Sequence, residues 1–84
     1  MFTYEFKPST FKKLARLPKT TQIQIIKKLD YFVASRIPLS FAHRPINYEL
    51  GEYRFRIGDY RVIFDVEGEK LIILDIDQRK DIYR

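Results

Sequence analysis

Three arginines carry the first chemical signal in this chain. Arg54, Arg56 and Arg61 lie within the run Tyr53-Arg54-Phe55-Arg56-Ile57-Gly58-Asp59-Tyr60-Arg61-Val62-Ile63-Phe64. A guanidinium keeps its charge at any physiological pH and meets a phosphate with paired hydrogen bonds. Their spacing matters as much as their type. Side chains alternate faces along a strand, so Phe55 and Ile57 share one face while Arg54 and Arg56 share the other. In the next segment Tyr60, Val62 and Phe64 fall together, with Arg61 and Ile63 opposite. A two-residue turn at Gly58-Asp59 pairs Ile57 with Tyr60 and Arg56 with Arg61. Both apolar sets then face one way and the three arginines the other. A one-residue slip would bury arginines, so the register is self-consistent. Like charges directly across a hairpin cost roughly 0.2–1 kcal/mol. Anion binding accounts for such a placement; so, at each single position, does plain solvation of an open sheet face. Asp65 or Asp75 could neutralise one of the three.

The elements that must hold this face are legible from periodicity. Phe2, Tyr4 and Phe6 alternate with polar residues, as in a half-buried strand. Pro8 and Ser9 start a helix, Pro in its first turn and Ser as a cap. Phe11, Leu14, Ala15 and Leu17 give it an apolar stripe. Pro18 ends it and opens a second helix. From Lys19 to about Ser35, the residues Ile25, Ile26, Leu29, Phe32 and Val33 recur at three and four, an amphipathic pattern. Ile37 to Asn47 holds Pro38 and Pro45 and reads as a connecting loop. Tyr53–Ile57, Tyr60–Val66 and Leu71–Ile76 are strand-like, and the segment Ile46–Leu50 is a further strand candidate. Short turns between them predict antiparallel hairpins. The predicted architecture is α+β. An N-terminal strand is followed by a two-helix hairpin packed on one face of a small antiparallel sheet, with a short C-terminal helical turn.

Composition narrows the rest. At 84 residues the chain is one domain, 1–84. With 45% hydrophobic and 32% charged residues it reads as globular and soluble, not disordered. There is no cysteine, which excludes disulfides, Cys zinc sites and thiol catalysis, and the single histidine argues against a His-based metal site. No cofactor is expected. No apolar run approaches the ~18 residues of a membrane span, so no membrane partner is expected either. The first residues resemble no signal peptide, and the expected location is the cytoplasm. The net charge of +5 favours a polyanionic partner such as nucleic acid. It is unevenly spread. Residues 1–48 hold nine basic and two acidic residues, a balance of +7, whereas residues 49–84 hold seven and nine, a balance of −2. The second half nevertheless has five of the eight arginines, set inside strands.

The closing segment, Asp77-Gln78-Arg79-Lys80-Asp81-Ile82-Tyr83-Arg84, follows the last strand, whose end lies beside the start of the Tyr60–Val66 strand and close to Arg61. One helical turn would align Arg79 with Tyr83, four residues on. At the rim of the arginine face, Tyr83 could stack on a base and Arg79 hold a phosphate. A frayed tail is the plainer alternative.

These segments resemble the RelE/ParE superfamily of bacterial and archaeal toxins. The YRxRxGDYRVIF stretch and the strand–helix–helix opening carry the likeness, which spans nearly the whole chain. The closing Arg79-Lys80-Asp81-Ile82-Tyr83 tilts it toward RelE. The resemblance implies a RelE-like fold and a toxin of a type II toxin–antitoxin pair. It implies a metal-independent endoribonuclease that enters the ribosomal A site and cuts messenger RNA there, inhibiting translation. In such enzymes the ribose 2′-hydroxyl attacks the adjacent phosphate, leaving a 2′,3′-cyclic phosphate and a 5′-hydroxyl. Fixed cations aimed at the developing charge would supply most of the rate. By the same resemblance Arg54, Arg56, Arg61, Arg79 and Tyr83 are the catalytic set. Arg56 and Arg61 meet the phosphate, Arg79 serves the leaving group and Tyr83 orients the base. Arg54, Arg56, Arg61, Arg79 and Lys80 bind RNA. The implied partners are the ribosome, mRNA and a RelB-like antitoxin, expected to be acidic where it meets this basic chain.

The sequence departs from the family pattern where a proton must move. Some members carry lysines at the positions of Arg54 and Arg56, and arginine is a poor base at neutral pH. A histidine is common before the tail arginine, where this chain has Gln78. The sole histidine, His43, lies outside the matched motif and reads as an exposed loop residue. Tyr83, Glu49, Glu52, an RNA group or no group at all are the remaining choices of base. Two other functions fit the same residues. A ParE-like toxin binds DNA gyrase and needs no nuclease site, and a non-catalytic RNA-binding module would use the arginines only to hold phosphate. The basic helix residues Lys12, Lys13, Arg16, Lys19, Lys27 and Lys28 either touch ribosomal RNA or are solvated outer faces.

Overall fold

The computed structural model describes residues 1–43 and 53–78. Strand β1 (Thr3–Phe6) leads into helix α1 (Pro8–Ala15) and helix α2 (Lys19–Ala34). A single 3-10 turn follows at Pro38–Phe41, and then strands β2 (Tyr53–Ile57), β3 (Tyr60–Glu67) and β4 (Lys70–Gln78). Pro8 takes the first helical position of α1, where its missing N–H costs nothing. Its preference for that position puts the helix start earlier than Ser9 would. Lys7 becomes the cap residue, without a side-chain cap bond, and Ser9 sits inside the first turn.

The sheet is four-stranded with order β1-β4-β3-β2. β2, β3 and β4 form the expected antiparallel meander, but β1 pairs with β4 in parallel, Tyr4 opposite Leu71 and Phe6 opposite Ile73. The sheet is therefore mixed, which corrects the expectation of a purely antiparallel one. The chain leaves β1 at one edge, crosses the face through both helices and rejoins at the far edge running the same way, a connection long enough for parallel strands. Both hairpin turns are two residues long. Their first positions, Gly58 and Gly68, take φ of +57° and +61°, which other residues adopt only under strain.

Leu14 from α1 and Ile25, Leu29 and Phe32 from α2 bury against Phe55, Ile57, Val62, Phe64, Leu71, Ile73 and Ile76. Ring stacking runs through this core: the Phe32–Phe55 and Phe55–Phe64 centroids are 4.3 and 4.4 Å apart. Both helices thus cover one face, as their periodicity predicts. The segment Ile46–Leu50, read as a further strand, and the tail from Arg79 onward lie outside the described residues.

Strict alternation fails in β4. Register shifts between Ile63, opposite Asp75, and Phe64, opposite Ile73, leaving Leu74 as the extra residue of a bulge. The bulge lets Leu71, Ile73 and Ile76 all face the helices and turns Asp75 and Asp77 to the open face. Without it those two carboxylates would point into the core, at large desolvation cost. β1 ends at Phe6, so among the described residues no strand lies beside the edge of β4 beyond Ile73. There the Thr10 hydroxyl donates to the Leu74 carbonyl at 2.6 Å, and the Asp75 carboxylate accepts the Ile76 N–H at 2.8 Å.

Candidate nucleic-acid interface

The hairpin register delivers the arginine cluster. Arg56 stands directly opposite Arg61, Phe55 opposite Val62 and Ile57 opposite Tyr60. Arg54, two residues from Arg56, projects from the same side, away from α1 and α2. Ile63 shares this open side, as its spacing from Arg61 predicts, yet it is buried, between Arg54 on one neighbouring strand and Asp75 on the other.

The three guanidiniums are not equivalent. Arg61 lies across from Asp77 and grips it with both ends. Nε donates to Oδ1 at 2.9 Å and Nη2 to Oδ2 at 2.8 Å, and only 13% of the arginine side chain is exposed. The carboxylate that grips Arg61 is thus Asp77. Asp75 instead takes Lys13 of α1 at 2.8 Å. Asp77 offsets the Arg56–Arg61 repulsion and gives Arg61 a structural reason for its place. Arg56 has no such reason: it is exposed and has no ion-pair partner among the described residues. Arg54 is half-buried, and its Nε is wholly shielded without a hydrogen-bond partner among the described residues.

The open face is divided by charge. The β2 side carries Arg54, Arg56 and Arg61. The end of the sheet where β1 pairs with β4 carries Glu5, Asp65, Glu67 and Lys70, with Lys70 3.4 Å from Glu5. An extended polyanion fits the first part and is repelled by the second.

His43 is placed differently from its sequence reading. It is exposed, as expected, but it belongs to the sheet. Its N–H donates to the Arg54 carbonyl and its carbonyl accepts the Arg54 N–H, both at 2.8 Å. Partners in such a bridge project to the same side, so the histidine joins the arginine face. Only the phase of this one-residue pairing could have revealed it, and a loop containing two prolines hides that phase. Arg79, Lys80 and Tyr83, together with the candidate bases Glu49 and Glu52, lie outside the described residues.

A family profile described as the ParE toxin of type II toxin–antitoxin systems, parDE, matches residues 4–83. The chain belongs to the ParE toxin family. This ParE-family protein is a toxin of a type II toxin–antitoxin system, within the wider RelE/ParE superfamily. Its fold is shared with solved RelE relatives. A chain of the RelBE2 toxin–antitoxin complex from Mycobacterium tuberculosis superposes with a TM-score of 0.77 at 22% identity, covering 93% of this chain and 98% of that one. A chain of the archaeal RelE-RelB complex from Pyrococcus horikoshii OT3 gives 0.69 at 24% identity, covering 93% and 94%. No sequence among curated proteins matches the toxin. Among its described residues no helix is long and apolar enough to cross a membrane.

Proposed function

We propose that this toxin is a ribosome-dependent endoribonuclease that cuts messenger RNA in the A site, in the cytoplasm where ribosomes work. The observation that carries the reading is the exposed Arg56 opposite Arg61 and beside Arg54, on the sheet face the helices leave open. Two of these cations, Arg54 and Arg56, meet the scissile phosphate. Arg61, oriented by Asp77, adds its field across the hairpin. The ribose 2′-oxygen loses its proton and bonds to phosphorus. The bond from phosphorus to the 5′-oxygen breaks, and that oxygen takes up a proton. The products are a 2′,3′-cyclic phosphate and a 5′-hydroxyl. Negative charge grows on the phosphate oxygens at the transition state, and prepositioned guanidiniums stabilise it without reorganisation. By the motif of the tail, Arg79 serves the leaving oxygen, Lys80 a neighbouring phosphate, and Tyr83 stacks on the base. The ribosome supplies the ordering of the RNA that so small a protein lacks.

An acidic segment of a cognate antitoxin binds the toxin and neutralises the arginine face. The two similar solved structures are toxin–antitoxin complexes with RelB partners, which supports this.

The family profile favours a second reading, inhibition of DNA gyrase, because it is the profile of ParE toxins. Purified toxin is added to ribosomes programmed with a defined message and, separately, to gyrase relaxing and supercoiling a plasmid. Cuts within the A-site codon with intact supercoiling support the nuclease. Intact message with blocked supercoiling overturns it in favour of gyrase.

A further inference from the structure

We propose that His43 is the general base of the cleavage, taking the proton from the attacking 2′-hydroxyl; this rests on the nuclease reading above. The reaction needs a group that accepts a proton near neutral pH, and guanidiniums cannot do so. Imidazole is the side chain whose ordinary titration range suits that task. Placement selects this one.

The two-way main-chain bridge fixes His43 directly beside Arg54 on the outer edge of β2. In such a hydrogen-bonded pair the Cα atoms are about 5.5 Å apart and the side chains stand on one side of the sheet. Arg56 is the next same-side residue along the strand, about 7 Å farther. A 2′-hydroxyl and its 3′-phosphate are neighbours within one nucleotide. The base and the phosphate-binding cations must therefore also be neighbours, and His43, Arg54 and Arg56 form that sequence in space. The imidazole is exposed, so RNA can reach it. Among the described residues, the other acid–base groups that the register puts on the basic side are Asp75 and Asp77. Both are engaged by cations, Lys13 and Arg61 respectively.

The bridge is made by the main chain, so replacing the side chain leaves it in place. The test uses single-turnover cleavage on programmed ribosomes with saturating full-length toxin. Wild type must first cut; no cleavage by wild type overturns the nuclease reading and this assignment with it. Given wild-type cleavage, His43→Ala and His43→Gln are each expected to slow the cut by about 10²–10⁴-fold. Their melting temperatures and ribosome affinity are expected to match wild type. A message with sulfur at the bridging 5′ position of the scissile phosphate needs no protonation of its leaving group, and the His43→Ala defect is expected to persist on it. Cleavage by His43→Ala at the wild-type rate overturns the assignment while leaving the nuclease reading intact. Recovery on the sulfur message also overturns it, because that outcome makes His43 the acid.

Discussion

Within one cluster, equal formal charges have unequal standing. Arg61 is held by a carboxylate and Arg54 is partly covered, so Arg56 is the cation best placed to meet an incoming phosphate. The arginine pattern in the sequence put all three on one face but did not show that Asp77 pairs with Arg61. Asp77 lies sixteen residues beyond Arg61, and only the bulge decides that it faces the same way. A different residue reports on the fold itself. The Tyr4 hydroxyl donates to Asp30 of α2 at 2.7 Å, tying β1 to the helix. Its pKa is pushed up to about 12, by burial first and then by the hydrogen bond to the Asp30 carboxylate. The folded state thus holds this proton more tightly than the unfolded chain, where tyrosine titrates near 10. The stabilisation is fully present below pH ~10 and is lost as pH climbs towards about 12. Tyr4→Phe is expected to be less stable than wild type by about 1 kcal/mol at pH 8. Urea denaturation across pH 8–12 should show that gap closing above pH ~10. A gap that stays constant or widens would contradict the assignment.

At the scale of elements, local pattern was an accurate guide wherever one face is apolar. The helix periodicity and the Gly58-Asp59 turn placed α1, α2 and the β2–β3 register within a residue or so of their observed positions. The direction of β1 was not legible, because a two-helix connection permits either sense and only packing chooses. The bulge at Leu74 left a trace that alternation alone obscures. Leu71, Ile73 and Ile76 are spaced two and then three apart, with Asp75 in the gap, and an extra residue reconciles them. The Arg61–Asp77 pair joins β3 to β4 at that end of the sheet. A double-mutant cycle of Arg61→Ala and Asp77→Ala, read by urea denaturation, is expected to give a coupling of about 1 kcal/mol, since the pair is bidentate but not fully buried. Additive losses would show that the two strands hold their register without it.

Over the whole molecule, charge and fold act together. The helices shield one side of the sheet and carry exposed lysines, while the other side is cationic near β2 and acidic near β1. Two basic surfaces separated by the thickness of the domain would let the proposed ribosome-bound toxin meet RNA on both sides. If four phosphates are contacted in all, raising salt from ~50 to ~200 mM should weaken ribosome binding about 10²-fold, by counterion release. Affinity insensitive to salt would mean that the basic surfaces are merely solvated. The central claim is that Arg56 and its neighbours grip and activate a phosphodiester of the message. The direct measurement is the single-turnover rate at which programmed ribosomes yield message ending in a 2′,3′-cyclic phosphate, with wild-type toxin and with Arg56→Ala at saturating concentrations. Wild type is expected to produce that end within the A-site codon, and Arg56→Ala to do so about 10²–10³-fold more slowly while melting at the same temperature. An unchanged rate in Arg56→Ala, or no cyclic phosphate from wild type, would contradict the account.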